Sequence, residues 1–197
     1  MFTISQCAAG CRQPAISGST LCAAHLVNPA EEAQRIGKYI IERREINNLN
    51  AHGLHFSKMD FTGCHFNGCS FIGASFTECD FSKTFMRMVF MDFTAISSCN
   101  FTGVDFQFMS FAGSNILKTV FEGSELVHVN YGGAQIKGAI FNNNNLYNSR
   151  FIEAALSNTR FINCNLKRVN FINIKQEKLI FKSSNTAEAI HREEDIF

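Results

Sequence analysis

Cys79-Asp80-Phe81-Ser82-Lys83 is followed, twenty residues on, by Cys99-Asn100-Phe101-Thr102-Gly103. Between them, Met86, Met91 and Ile96 mark the same place in further groups of five. Counted in fives from Phe56 to Phe171, all 24 positions are large and apolar, with no slip of phase. Neither the 3.6-residue period of a helix nor the two-residue alternation of a strand makes this pattern. A second column stands two residues before each centre and runs Leu54, Met59, Cys64, Cys69, Ala74, Cys79 and onward to Val169. Its side chains are mostly small or medium. The residue between the columns is often Asp, Asn, Ser or His, and the one two after the centre is often Gly. Each group of five therefore points two side chains inward and bends at a polar or glycine corner.

These units, with Cys164-Asn165-Leu166-Lys167-Arg168, resemble the pentapeptide-repeat family over residues 54–173. The resemblance implies an all-β fold, a right-handed parallel quadrilateral β-helix with four pentapeptides per coil. On that plan the 24 units make about six coils, a rod roughly 29 Å long at the ~4.8 Å spacing of stacked strands. Residues 20 apart then stack, so Phe61, Phe81, Phe101, Phe121, Phe141 and Phe161 are expected to form an aromatic ladder.

The eight cysteines fall into two groups. Cys64, Cys69, Cys79, Cys99 and Cys164 all lie in the inward column and read as packing thiols. Cys79 and Cys99 are one coil apart, close enough to be bridged, but five buried thiols argue for a reducing compartment. The other three precede the repeats. Cys7, Cys11, Cys22 and His25 have the spacing C-x3-C-x10-C-x2-H. Two close ligand pairs joined by a loop suit tetrahedral Zn²⁺, and four protein ligands leave no open position, so the site reads as structural. A headpiece over residues 1–27 has few large apolar side chains and needs such a staple to fold.

Residues 28–53 read as a capping helix and linker. Asn28-Pro29-Ala30-Glu31-Glu32 supplies an N-cap, a first-turn proline and two acids at the positive end of the dipole. Ala33, Ile36, Tyr39 and Ile40 share a face, and Asn47-Asn48 is the expected end. Residues 174–197 read as a C-terminal cap and tail, with Asn185 and Glu188 as the start of a short helix running toward Glu193-Glu194-Asp195.

The charge balance is +1, and 54–173 holds 8 acidic against 9 basic residues. That argues against a DNA-mimicking, topoisomerase-protecting rod, the function best described for the family, which needs a strongly acidic surface. Nucleic-acid binding through Arg12, Arg35, Lys38, Arg43 and Arg44 is weighed against by Glu31, Glu32, Glu42 and Glu45 nearby. No apolar run is long enough to span a membrane, and the segment from Met1 to Cys7 has neither a basic nor an apolar signal region, so a cytoplasmic setting is expected. No phosphate loop, dinucleotide fingerprint, zinc-protease helix or nucleophile elbow is present, so the chain is not read as an enzyme.

One stretch breaks the outward polar rule. Phe85, Met88, Phe90, Phe93 and Phe108 lie outside the two inward columns and should form one apolar patch. The Ala33–Ile40 helix is expected to cover it. The alternatives are a docking site for an unidentified protein partner or a second copy, giving a homodimer, or a local bulge that turns some of the side chains inward. The function read from the sequence is a non-enzymatic interaction or scaffold module.

Overall fold

The computed structural model describes residues 5–192. The chain winds into an all-parallel β-solenoid of about seven turns. One side stacks Glu45–Asn47, His65–Asn67, Phe85–Arg87, Asp105–Gln107 and Glu125–Val127; another stacks seven strands from His55–Ser57 to Lys175–Glu177. Every pair is parallel and offset by twenty residues, as in His65↔Phe85 and Phe85↔Asp105. The remaining two sides are held mostly by single bridges of the same offset, such as Asn50↔Ser70↔Phe90 and Asp60↔Asp80↔Asn100, the second of them ending in the strand pair Arg160–Ile162 and Ile180–Lys182. The ladder starts at Glu45 and continues through Ile180–Lys182, past the expected limits of 54 and 173 at both ends, so there are about seven coils instead of six.

The corners explain the glycines. Every fifth residue from Asn48 to Ser183 has a positive φ, near the left-handed helical value. Glycine enters that region freely and Asn tolerates it, while β-branched side chains do not. No Val, Ile or Thr occupies any of these corners.

Inside, the expected aromatic ladder is present and longer than anticipated. Phe81 and Phe101 stack at 4.7 Å and 1°, and the line continues through Phe121, Phe141 and Phe161 to Phe181. The five column cysteines are buried and free. Burial raises the Cys69 thiol to about 11. Tyr131 fills one centre between Phe111 and Phe151, and its buried hydroxyl has no hydrogen-bond partner among the described residues. Asn165, Asn145 and Glu125, one coil apart, form a hydrogen-bonded stack: Asn165 donates to Asn145 at 2.9 Å and Asn145 to Glu125 at 2.7 Å.

Helix α1 (Pro29–Arg43) begins as its sequence prescribes, with Asn28 Oδ1 accepting from the Glu31 N–H at 3.2 Å. It ends earlier than Asn47-Asn48. Arg44 turns left-handed at φ 61 because Glu45–Asn47 is needed as the first rung. Its buried face, Ala33, Ile36, Gly37 and Ile40, closes the open end of the coil. Gly37 lies so close to Met59 that a Cβ there would stand 2.3 Å from the Met59 sulfur. The helix packs against the first two strands and leaves the Phe85–Phe108 patch uncovered, which corrects the expected cover. No bulge intervenes either, since Phe85–Arg87 keeps its register on both sides. At the far end, the expected helix is a single 3-10 turn, Thr186–Glu188. Glu193-Glu194-Asp195 lies outside the described residues.

Candidate metal centre and the apolar corner of the rod

The headpiece brings four ligand atoms together by local turns. Gly10, at φ 77, donates its N–H to the Cys7 carbonyl at 3.0 Å and so returns the chain to Cys11. The Gln6↔Pro14 bridge and the Ala8 N–H to Thr20 carbonyl bond, 2.8 Å, hold the loop that carries Cys22 beside Cys7. A 3-10 turn, Ala23–His25, then places His25. The Sγ atoms of Cys7, Cys11 and Cys22 and a ring nitrogen of His25 all lie within 4.8 Å of one another. The spacings that define the shape are Cys11 Sγ to Cys22 Sγ, 3.6 Å; Cys7 Sγ to His25 Nδ1, 3.5 Å; and Cys22 Sγ to His25 Nδ1, 3.3 Å.

A tetrahedral ion with metal–sulfur bonds of ~2.3 Å and a metal–nitrogen bond of ~2.0 Å requires sulfur–sulfur edges of about 3.8 Å and sulfur–nitrogen edges of about 3.5 Å. Three of the six edges are close to those lengths and the rest reach no more than 4.8 Å, so the donor set can close on a metal ion with a small adjustment. Cys7 and Cys22 are buried, while Cys11 is exposed. The Cys22 backbone N–H, 3.3 Å from Cys7 Sγ, lowers the Cys7 thiol to about 6, whereas burial raises the Cys22 thiol. Cys7 is therefore primed as a thiolate at neutral pH.

The cluster is tied to the rod through residues that the spacing alone did not single out. Ser17 bonds both backbone groups of Asn50, and Asn50 Nδ2 donates to the Ala15 carbonyl at 2.6 Å. Arg35 donates to the Ser17 carbonyl at 2.6 Å and pairs with Glu32. Lys38 pairs with Glu42 at 3.8 Å, and Arg44 donates to the Thr62 carbonyl at 2.7 Å. Three of the five cations weighed for nucleic-acid binding are thus engaged within the chain.

The second candidate region is the corner that carries the apolar patch. Phe93 is 70% exposed, Phe108 57%, Phe90 45% and Met88 44%; Phe85 is half-buried against His65. Phe108 lies parallel to His128 at 5.3 Å. The Phe93 ring lies over Gly113, where a Cβ would stand 2.6 Å from it. Met88, Phe93 and Phe108 all occupy left-handed corners, at φ 50, 56 and 56. Among the described residues no helix is long and apolar enough to cross a membrane.

No curated protein matches the chain in sequence. Among solved structures, QnrB1, described as a plasmid-mediated fluoroquinolone resistance protein, superposes with a TM-score of 0.52 at 14% identity, covering 71% of this chain and 80% of its own. Rfr23, a pentapeptide repeat protein from the cyanobacterium Cyanothece 51142, gives 0.41 at 14% identity, covering 81% and 99%. At such identities the likeness is one of fold. The family description "pentapeptide repeat region" matches residues 59–136, and "pentapeptide repeats (8 copies)" matches 145–175. With the matches spanning more than half its length and the coil geometry agreeing, this chain belongs to the pentapeptide-repeat family.

Proposed function

We propose that the protein is a non-catalytic interaction rod whose first coil is closed by a headpiece stapled by a structural Zn²⁺ on Cys7, Cys11, Cys22 and His25. The observation that carries the interaction reading is the placement of Met88, Phe93 and Phe108. Each is a large apolar side chain exposed at a left-handed corner. Such a residue carries backbone strain of about 1–2 kcal/mol that glycine would avoid, and it leaves apolar area in water. A clustered outlier of this kind supports a binding role. Three thiolates and an imidazole with no vacant position support zinc as the ion and a structural role for it. Five buried thiols fit a reducing, cytoplasmic setting. A topoisomerase-protecting DNA mimic is disfavoured by the near-neutral rod.

Affinity capture from the native cell tests the reading, with wild type beside a Phe90→Asp/Phe108→Asp variant. A partner held by wild type and lost by the variant supports it. Identical recovery by both overturns it.

A further inference from the structure

We propose that the groove beside Phe108 receives an acidic, apolar segment of a partner protein: a carboxylate on Arg150 and Arg168, with a neighbouring aromatic or aliphatic side chain against Phe90 and Phe108. This inference rests on the interaction-rod reading and names the chemistry of the partner. The groove has a volume of about 540 Å³ and runs along the side of the rod that carries the Phe90, Ser110, Asn130 and Arg150 bridges. Its wall is the parallel Phe108–His128 pair, with Tyr147 edge-on to His128 at 6.0 Å. Asn148 donates to His128 Nδ1 at 2.7 Å, which fixes that ring.

The polar groups of the groove floor are already committed. Ser110 Oγ donates to Asp92, which also accepts from the Ala112 N–H at 2.9 Å. Asn130 Oδ1 accepts from the Gly132 N–H at 3.0 Å. The two arginines are not. Arg150 and Arg168 are exposed, and neither side chain has a hydrogen bond or ion pair to any described residue; their main-chain N–H groups are held by the Val129 and Glu188 carbonyls. Arg150 lines the groove, and Arg168 stands past its end on the next coil, two residues before the Asn170 that Arg150 bridges. The neighbouring Lys167 is already paired with Glu188 at 3.7 Å, and Glu153 stands at the opposite corner of this side.

An unpaired guanidinium takes a carboxylate through two parallel hydrogen bonds. Exposed aromatic surface next to it takes an apolar side chain. Singly these features are ordinary; on one side of one rod they select a ligand that carries both. A phosphate backbone is a poorer fit, since it calls for cations along the length of the rod. This side also carries Asp92 and Glu153.

The test is fluorescence anisotropy of the full chain with a labelled peptide of repeating Glu-Phe-Asp-Leu. Comparison probes are a Lys-Phe-Lys-Leu peptide, a Glu-Ser-Asp-Ser peptide and oligo-dT. The acidic, apolar peptide should bind about tenfold tighter than any other probe and weaken with added salt. Arg150→Glu/Arg168→Glu should cost about tenfold, and so should Phe108→Ser. If Phe108→Ser unfolds the rod, the arginine variant decides alone, because both sites are on the surface. Binding indifferent to the arginines, equal binding of the lysine peptide, or preference for oligo-dT overturns the proposal. Should native capture still depend on Phe90 and Phe108 in any of those cases, the ligand chemistry falls while the interaction reading stands.

Discussion

The backbone N–H of Asn50 donates to Ser17 Oγ at 2.8 Å, and the Asn50 carbonyl accepts from the Ser17 N–H at 2.9 Å. One coil on, the equivalent amide of Ser70 is bonded to the Leu49 carbonyl, and that of Phe90 to the Cys69 carbonyl. Ser17 thus stands in for the coil that would precede the first. An open β-edge is a liability, and here the headpiece covers it. The purified protein should carry about one zinc per chain, and Cys11→Ser should carry much less. Chelation should speed hydrogen exchange at the Ser17 and Asn50 amides and leave Phe101 protected. A metal-free wild type with slow exchange at Asn50 would refute the staple.

Phe101 is fully buried and stacks on Phe81 at 4.7 Å and Phe121 at 5.0 Å. Phe101→Ala should destabilise by about 3–5 kcal/mol, the range for truncating a buried aromatic. Thr102→Ala, one residue on and exposed, should change stability by less than about 0.5 kcal/mol. Denaturant unfolding of the two variants separates them.

Tyr131 places a hydroxyl in the rod with no partner, and burial drives its ionisation far above the ordinary range. Removing an unsatisfied buried hydroxyl removes its desolvation penalty while the ring stays in place. Tyr131→Phe should therefore be neutral or stabilise by up to about 1–3 kcal/mol. A clear loss of stability would show that the hydroxyl has a partner.

Phe93 is held at φ 56. Phe93→Gly and Phe93→Ala both remove the ring, but only glycine relieves the backbone. The glycine variant should be the more stable by about 1 kcal/mol. Equal melting curves would mean that the corner costs little, and would weaken the argument that these residues are kept for binding.

Much of this was legible because a five-residue period leaves few structures available. Ile46, Leu49 and Ala51 extend the same phase backward and are all buried, yet helix-forming residues overlap them and hid the first rung. At the other end Gln176 occupies a centre and is exposed, so the apolar rule breaks there before Phe181 resumes it. The backbone pairing does not stop, since Leu156↔Gln176 needs only main-chain groups. The Cys3His cluster was readable from four residues of two types at short spacing. The Ser17–Asn50 clamp was not, because it joins residues 33 apart through main-chain groups and one hydroxyl. The helix reads both as a cap for the first coil and as the cover of the Phe85–Phe108 patch; the second expectation fails, because an apolar face fits any apolar target. In the structure it packs on the first two strands, with Gly37 close against Met59.

The left-handed corner at every fifth residue has a consequence for how such a chain can change length. Deleting one residue inside the rod would turn every later inward side chain out of the core. Deleting twenty would remove a single turn and leave all later sides in place. A change of five keeps the core intact but rotates everything beyond it by a quarter turn. Five residues gained between the headpiece and Phe85 would aim the aromatic corner and Arg150 in a new direction relative to that headpiece, with every centre still inward although the stacking partners across the insertion shift by one side. In this architecture a short insertion works as an angular adjustment.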